Sequence, residues 1–181
     1  MKYLGWMPLL LALMGGCATP SGTAQDRLNS QYGEKIRDWQ RRIQREGWSE
    51  NQVGRILVEC RSLVTYRMEI RDHWDTPREF MARGFAGDCE DIVFFMMGTL
   101  RRLGYPRGVR VLVVPGLADD HALLKVEMPE GGWRLYDVAS ERVRAGEIRT
   151  ARPIVEFDEK IVIWHGVGRV NERIAESGRR N

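Results

Sequence analysis

The sequence predicts an α+β domain: two stretches of helical periodicity come first, short β-type runs follow, and a hairpin turn joins two of those runs. Strands linked by a tight turn pair antiparallel, so the expected architecture is helices packed on an antiparallel sheet. With 181 residues, 43% hydrophobic and 29% charged, the chain is long enough to bury one core and too short for two of ordinary size.

The first helix is predicted from Ser49. In SENQVGRILVECRSLV, Ser49 and Gln52 have the spacing of a capping box, and Val53, Ile56, Leu57, Cys60, Leu63 and Val64 recur on one face. Cys60 therefore belongs to the core, as a small hydrophobe. The second helix opens in GDCEDIVFFMM. Gly87 frees the backbone, Asp88 stands at the N-cap, and Ile92, Val93, Met96, Met97, Leu100 and Leu103 form a broad apolar face that Gly104 and Pro106 end. Cys89 falls in the first turn.

The β-type runs are VRVLVV at 109–114, HALLKVEM at 121–128 and WRLYDV at 133–138, with PEGG turning between the last two. IVIWHG from Ile161 supplies a further strand. A turn centred near Glu130 and Gly131 puts Asp137 opposite about residue 124, within a few residues of His121 on the adjacent strand.

Ahead of the domain, MKYLGWMPLLLALMGGC has a basic start, an apolar run too short to span a bilayer, two glycines and then cysteine. Residues 1–16 thus resemble a bacterial lipoprotein signal, with Cys17 as the acylated mature N-terminus. Residues 17–26 form a lipidated tether, and 27–175 one domain. Ala18 after the cysteine implies the periplasmic face of the outer membrane; ordinary cleavage to a soluble periplasmic product is the alternative. The +3 formal charge is scattered among acids, which is too mild for a nucleic-acid partner. No paired cysteines or histidines have zinc spacing, and the GVG at 166–168 lacks a phosphate-binding context.

A cysteine flanked by carboxylates at a helix start is poor company for a buried structural thiol. Unpaired N–H groups of a first turn lower a thiol pKa, and the thiolate is the nucleophile. Such a nucleophile needs a base, and the base needs a group to orient it. Of three histidines, His73 lies in RDHWDTP among aspartates and reads as solvated, and His165 sits at a strand end. His121 opens a strand whose neighbour carries Asp137. Taken alone, the residues fit a Cys-His-Asp arrangement about as well as a free thiol, a surface histidine and a hairpin aspartate that never meet. A Cys60–Cys89 disulfide is a competing use in an oxidising compartment, and the buried face expected for Cys60 argues against it.

Residues 74–104 resemble the bacterial transglutaminase-like cysteine peptidases through Trp74, Thr76-Pro77, Glu79-Phe80, the Gly87–Asp91 run GDCED, and Leu100 to Gly104. His121 to Leu124 and Leu135 to Asp137 match the downstream phrases, so the likeness covers about 27–140 in order and spacing. The resemblance implies a papain-like, transglutaminase-like fold in which the helix bearing the nucleophile packs on the antiparallel sheet. It further implies Cys89 as nucleophile, His121 as base and later acid, Asp137 as the orienting carboxylate, and backbone N–H groups near Cys89 receiving the oxyanion. The implied activity is amide hydrolysis through an acyl-enzyme, on a protein or peptide substrate of the cell envelope. Transfer of the acyl group to an amine, as in a transglutaminase, and a non-catalytic envelope module of the same fold are the alternatives. Two departures bear on the substrate: VFFMMG is apolar where the family tends to carry lysine, and Val138 stands where it often has asparagine. Some relatives are similar to calcium-dependent enzymes, which makes Asp88 and Glu90 candidate calcium ligands. Cap geometry favours the simpler expectation, that Asp88 caps the helix and no cofactor is required.

Overall fold

The computed structural model describes residues 23–69, 73–116, 120–146 and 153–165. The expected signal, Cys17 and most of the tether lie outside the described residues. Helix α1 spans Ala24–Glu46, so the last three residues assigned to the tether are helical. Thr23 and Asp26 close a reciprocal capping box there. Its apolar stripe is Leu28, Tyr32, Ile36, Trp39 and Ile43 at helical spacing; Tyr32, Ile36 and Trp39 are buried, and Leu28 and Ile43 pack against the core at either end. The Trp39 indole donates to Glu59 Oε2 at 2.8 Å, tying α1 to α2, Glu50–Arg61. Ser49 caps α2 by accepting from the Gln52 N–H at 3.2 Å. The expected reciprocal half of that box is not made, because the Gln52 amide donates to Glu46 of α1 instead.

After α2 the chain forms β1, Thr65–Tyr66, then α3, Pro77–Ala82, then β2, Ala86–Gly87. Thr76 and Glu79 make a second capping box with proline at the first helical position. Strands β1 and β2 pair in parallel, with Tyr66 opposite Gly87. Between α3 and β2, Phe85 takes a left-handed φ of 60°. That conformation costs a non-glycine residue roughly 1 kcal/mol. It is offset by burying the ring against Phe80, Phe95 and Tyr32, with centroids 6.2, 5.2 and 5.8 Å away. The short strand pair delivers the chain to α4, Cys89–Arg102.

Six strands follow: β3 Val109–Val114, β4 His121–Glu127, β5 Trp133–Asp137, β6 Arg144–Gly146, β7 Val155–Phe157 and β8 Val162–Trp164. They form one sheet in the order β6-β5-β4-β3-β7-β8, with every neighbouring pair antiparallel. Ile92, Val93, Met96 and Leu100 of α4 share one core with Val111, Val113, Ala122, Leu124 and Val126 of the sheet, joined by the buried faces of α1 and α2. Alternation along β3 and β4 sends Leu112, Val114 and Leu123 to a second, smaller cluster on the opposite face. The fold is therefore α+β, with the cysteine-bearing helix on an antiparallel sheet, as the sequence predicts.

Candidate active site

Cys89 is the first residue of α4, and it is nearly buried, at 9% exposure. Its thiol donates to Glu90 Oε2 at 3.1 Å. The backbone N–H of Ala122, the second residue of β4, reaches the same sulfur. The expectation of a lowered thiol pKa is reversed. Burial, and next the Glu90 carboxylate beside the sulfur, push the thiol well above its ordinary value. The dipole of a first turn is a fractional charge and cannot outweigh a full negative charge in contact with the sulfur.

The neighbours of Cys89 have separate tasks. Asp88 occupies the N-cap position, yet its side chain makes no cap hydrogen bond, which corrects the expected cap. Its carboxylate turns instead to the Glu69 N–H and to Glu90, while Oδ1 is buried without a hydrogen-bond partner. Burial first, then the Glu90 carboxyl and the Glu69 charge, push Asp88 up to about 8. Asp91 is fully buried, and its Oδ1 accepts from the Asp75 N–H at 2.7 Å. Burial, with Asp88, Asp75 and Glu69 nearby, raises Asp91 to about 6. Gly87 is glycine because of this carboxylate: a Cβ there would lie 2.2 Å from Asp91 Oδ2.

His121 opens β4, and its Nε2 lies 3.3 Å from Asp137 Oδ1. Burial opposes the charged form of Asp137, but the hydrogen bond and charge of His121, together with Ser140, hold its carboxyl down at about 2. The Ser140 N–H donates to Asp137 Oδ1 at 3.3 Å. Leu124 pairs with Tyr136, one residue from the register expected of the hairpin. The difference matters, because a slip of one residue reverses the face of every side chain. In the observed register Asp137 falls on the same sheet face as His121, whereas the expected one would have set them on opposite faces.

The other sequence candidates are dispersed. His165 Nε2 lies 3.6 Å from Glu156 Oε2 on β7. His73, expected to be remote, comes closer to α4 than its sequence context suggests, since it contacts Asp75 Oδ1 at 3.4 Å and Asp75 in turn donates to Asp91. Cys60 lies 3.8 Å from Thr99 Oγ1, and Thr99 is ten residues along α4 from Cys89. That is about 15 Å of helix, so the two thiols cannot form a disulfide without refolding. Both are free.

Two acidic groups border the site. Among the described residues His73, Asp75 and Glu79 offer ligand atoms within 4.8 Å of one another. Arg83 already supplies a cation there, with Nη1 2.7 Å from Asp75 Oδ2. Asp88 and Glu90, by contrast, press two carboxylates together, and among the described residues no cation is a hydrogen-bond partner of either. Arg61 escapes a sequence reading altogether: it contacts backbone carbonyls, and no residue-type pattern encodes such contacts.

No family model and no curated protein sequence matches the chain. Among solved structures, LapG of Legionella pneumophila is similar, with a TM-score of 0.63 and 19% identity over 87% of this chain and 86% of LapG. Its calcium-bound form gives a TM-score of 0.62 and 20% identity over 83% and 84% of the two chains. The EGTA-treated form gives 0.61 and 20%, over 80% and 78%. The chain shares the α+β fold of LapG, with helices packed on an antiparallel sheet.

Proposed function

We propose that the chain is a cysteine hydrolase that cleaves amide bonds of peptides or proteins, with Cys89, His121 and Asp137 as its machinery. The supporting observation is the meeting of α4 and β4: Cys89 opens α4 where the Ala122 N–H is near enough to favour its thiolate, one residue from an imidazole held by Asp137. With Nε2 committed to Asp137, Nδ1 is the nitrogen left to serve the sulfur; His121 shares its sheet face with Leu123, so its ring has to reach Cys89 past the end of β4. In the proposed reaction Nδ1 takes the thiol proton and the thiolate attacks the substrate carbonyl carbon. The carbonyl π pair moves to oxygen, where unpaired N–H groups at the start of α4 receive it. The imidazolium then gives its proton to the departing amine, leaving a thioester that water hydrolyses with His121 again as base.

The same proposal extends to a cation. A buried Asp88 Oδ1 without a partner, on a carboxyl whose ionisation burial and the adjacent Glu90 disfavour, fits a hard oxygen-seeking ion such as calcium. Asp88 and Glu90 would hold it, and its positive charge would match theirs. Glu90 engaged in this way is withdrawn as acceptor from the Cys89 thiol, which favours the thiolate. We further infer that residues 1–16 are an export signal, that Cys17 is acylated, and that the domain works at the periplasmic face of the outer membrane. The substrate would then be an envelope protein or peptide.

The test is covalent labelling with iodoacetamide, with site assignment by mass spectrometry, in calcium and in chelator. Cys89 of the folded protein is expected to label faster in calcium than in chelator, and Cys89→Ala is expected to abolish both labelling at that site and any amidase activity. Amidase activity that survives in a folded Cys89→Ala variant overturns the mechanism. A native Cys89 that labels only after unfolding favours the non-catalytic module. Incorporation of a labelled amine into a glutamine-bearing protein would identify acyl transfer in place of hydrolysis.

A further inference from the structure

Arg61 is the last residue of α2, and all three nitrogens of its guanidinium are spent on main-chain carbonyls. Nε donates to Ser140 O at 3.0 Å, Nη2 to Ala139 O at 3.4 Å, and Nη1 to Val64 O at 2.8 Å. None of these acceptors is a carboxylate, so the cation is held for its planar, forked geometry rather than to neutralise an acid.

The acceptors belong to two different arms of the site. Ala139 and Ser140 follow Asp137 directly, and the Ser140 N–H donates to Asp137 Oδ1, which contacts His121 Nε2. Val64 leads into β1, where Thr65 N–H donates to Phe85 O at 2.9 Å and Arg67 N–H donates to Gly87 O at 2.7 Å. Gly87 is two residues from Cys89. One side chain therefore grips the loop that orients the carboxylate and the strand that supports the cysteine.

We propose that Arg61 is a positioning residue that sets the separation between Cys89 and the His121–Asp137 pair. The chemical consequence rests on the hydrolase reading; the geometric one does not. Val138 and Ala139 are buried and anchor the start of this loop, but core packing does not fix the peptide that follows, and a turn of that peptide would carry the Ser140 N–H away from Asp137. Two charge-assisted bonds to the loop's carbonyls hold it in one orientation. Lysine has a single nitrogen and can satisfy one arm only.

The experiment compares the full chain with Arg61→Lys and Arg61→Ala, each checked for fold by circular dichroism. The first readout is the imidazole nitrogen resonances of His121, which report its contact with Asp137. They are expected to shift in both variants, and added methylguanidinium is expected to return Arg61→Ala toward the parent. The second readout is the pH profile of Cys89 alkylation. Its plateau is expected to fall about tenfold, the factor corresponding to one lost charge-assisted hydrogen bond, with methylguanidinium again restoring it. If Arg61→Ala does not fold, Arg61→Lys decides. Unchanged His121 resonances in folded Arg61→Lys overturn the proposal. Shifted resonances in a parent whose Cys89 is inert sustain the positioning role and overturn the hydrolase reading alone.

Discussion

Replacing Gly87 by alanine places a methyl group 2.2 Å from Asp91 Oδ2, 2.8 Å from its Cβ and 2.9 Å from its Cγ. The obstructing atoms belong to a fully buried side chain in the first turn of α4, so no flexible tip can swing aside. Asp91 has to leave its place and surrender the 2.7 Å hydrogen bond from the Asp75 N–H. Losing a buried bond to a charged acceptor costs about 1.5–3 kcal/mol, and forcing atoms into a packed site adds about 1–3 kcal/mol. The sum is roughly 2.5–6 kcal/mol, which for a domain of this size lowers Tm by roughly 5–24 °C. Calorimetry on Gly87→Ala reads this directly, and a double-mutant cycle isolates its cause. In an Asp91→Gly background every one of the three close contacts is gone, so the alanine should cost almost nothing there. The reasoning is refuted if Gly87→Ala melts within about 2 °C of the parent, or if it costs the same with and without the Asp91 side chain.

Three further outcomes follow from the site. Asp137 is held at about 2 against an ordinary 3.8, so its contribution of about 2 kcal/mol is present above the ordinary value and is lost as pH falls through about 2. Asp137→Asn should lack that acid-side decline in a urea titration series, and parallel curves for the two proteins would contradict it. Asp91 and Asp88 are shifted the other way, to about 6 and about 8, so their contribution is full below 3.8 and is lost as pH rises through those values. In chelator, stability should therefore fall from mildly acid to neutral pH; calcium should reverse the fall in the parent and not in Asp88→Asn. Finally, a thiol oxidant should leave Cys60 and Cys89 unlinked, as counted by peptide mapping, because Cys60 abuts Thr99 at the far part of α4.

Elements with one strong period were legible in the sequence. The α4 apolar face and the runs at 109–114, 121–128 and 133–138 coincide with observed elements to within a residue. The period of helix α1, carried by Leu28, Tyr32, Ile36, Trp39 and Ile43, was diluted by the charged residues between them, although the Thr23-x-x-Asp26 box is a readable start signal. Strand β7 was hidden because Glu156, at 2% exposure, interrupts its apolar run; the charge is matched there by Arg110 at 2.6 Å and Lys125 at 2.7 Å. The pairing of His121 with Asp137 was legible as proximity along a hairpin, yet its register was not, since a PEGG turn admits more than one loop geometry and the error of one residue decides the face. The thiol environment was the least legible. Whether Glu90 lies beside the Cys89 sulfur or away from it depends on a side-chain rotamer, and sequence carries no rotamer.

Tyr32 of α1 meets Thr99 of α4 at 3.0 Å, Thr99 donates back to Phe95 O at 2.9 Å, and Cys60 of α2 abuts the same hydroxyl. Three helices are thereby pinned at one polar stitch deep in an apolar interior, about three turns beyond Cys89. A rod fastened so firmly behind its tip neither slides nor rolls to expose a sulfur. Whatever wakes this thiol has to be a local event at the rim, and evolution or an engineer could retune it by editing a few exposed side chains while the chassis underneath stays as it is.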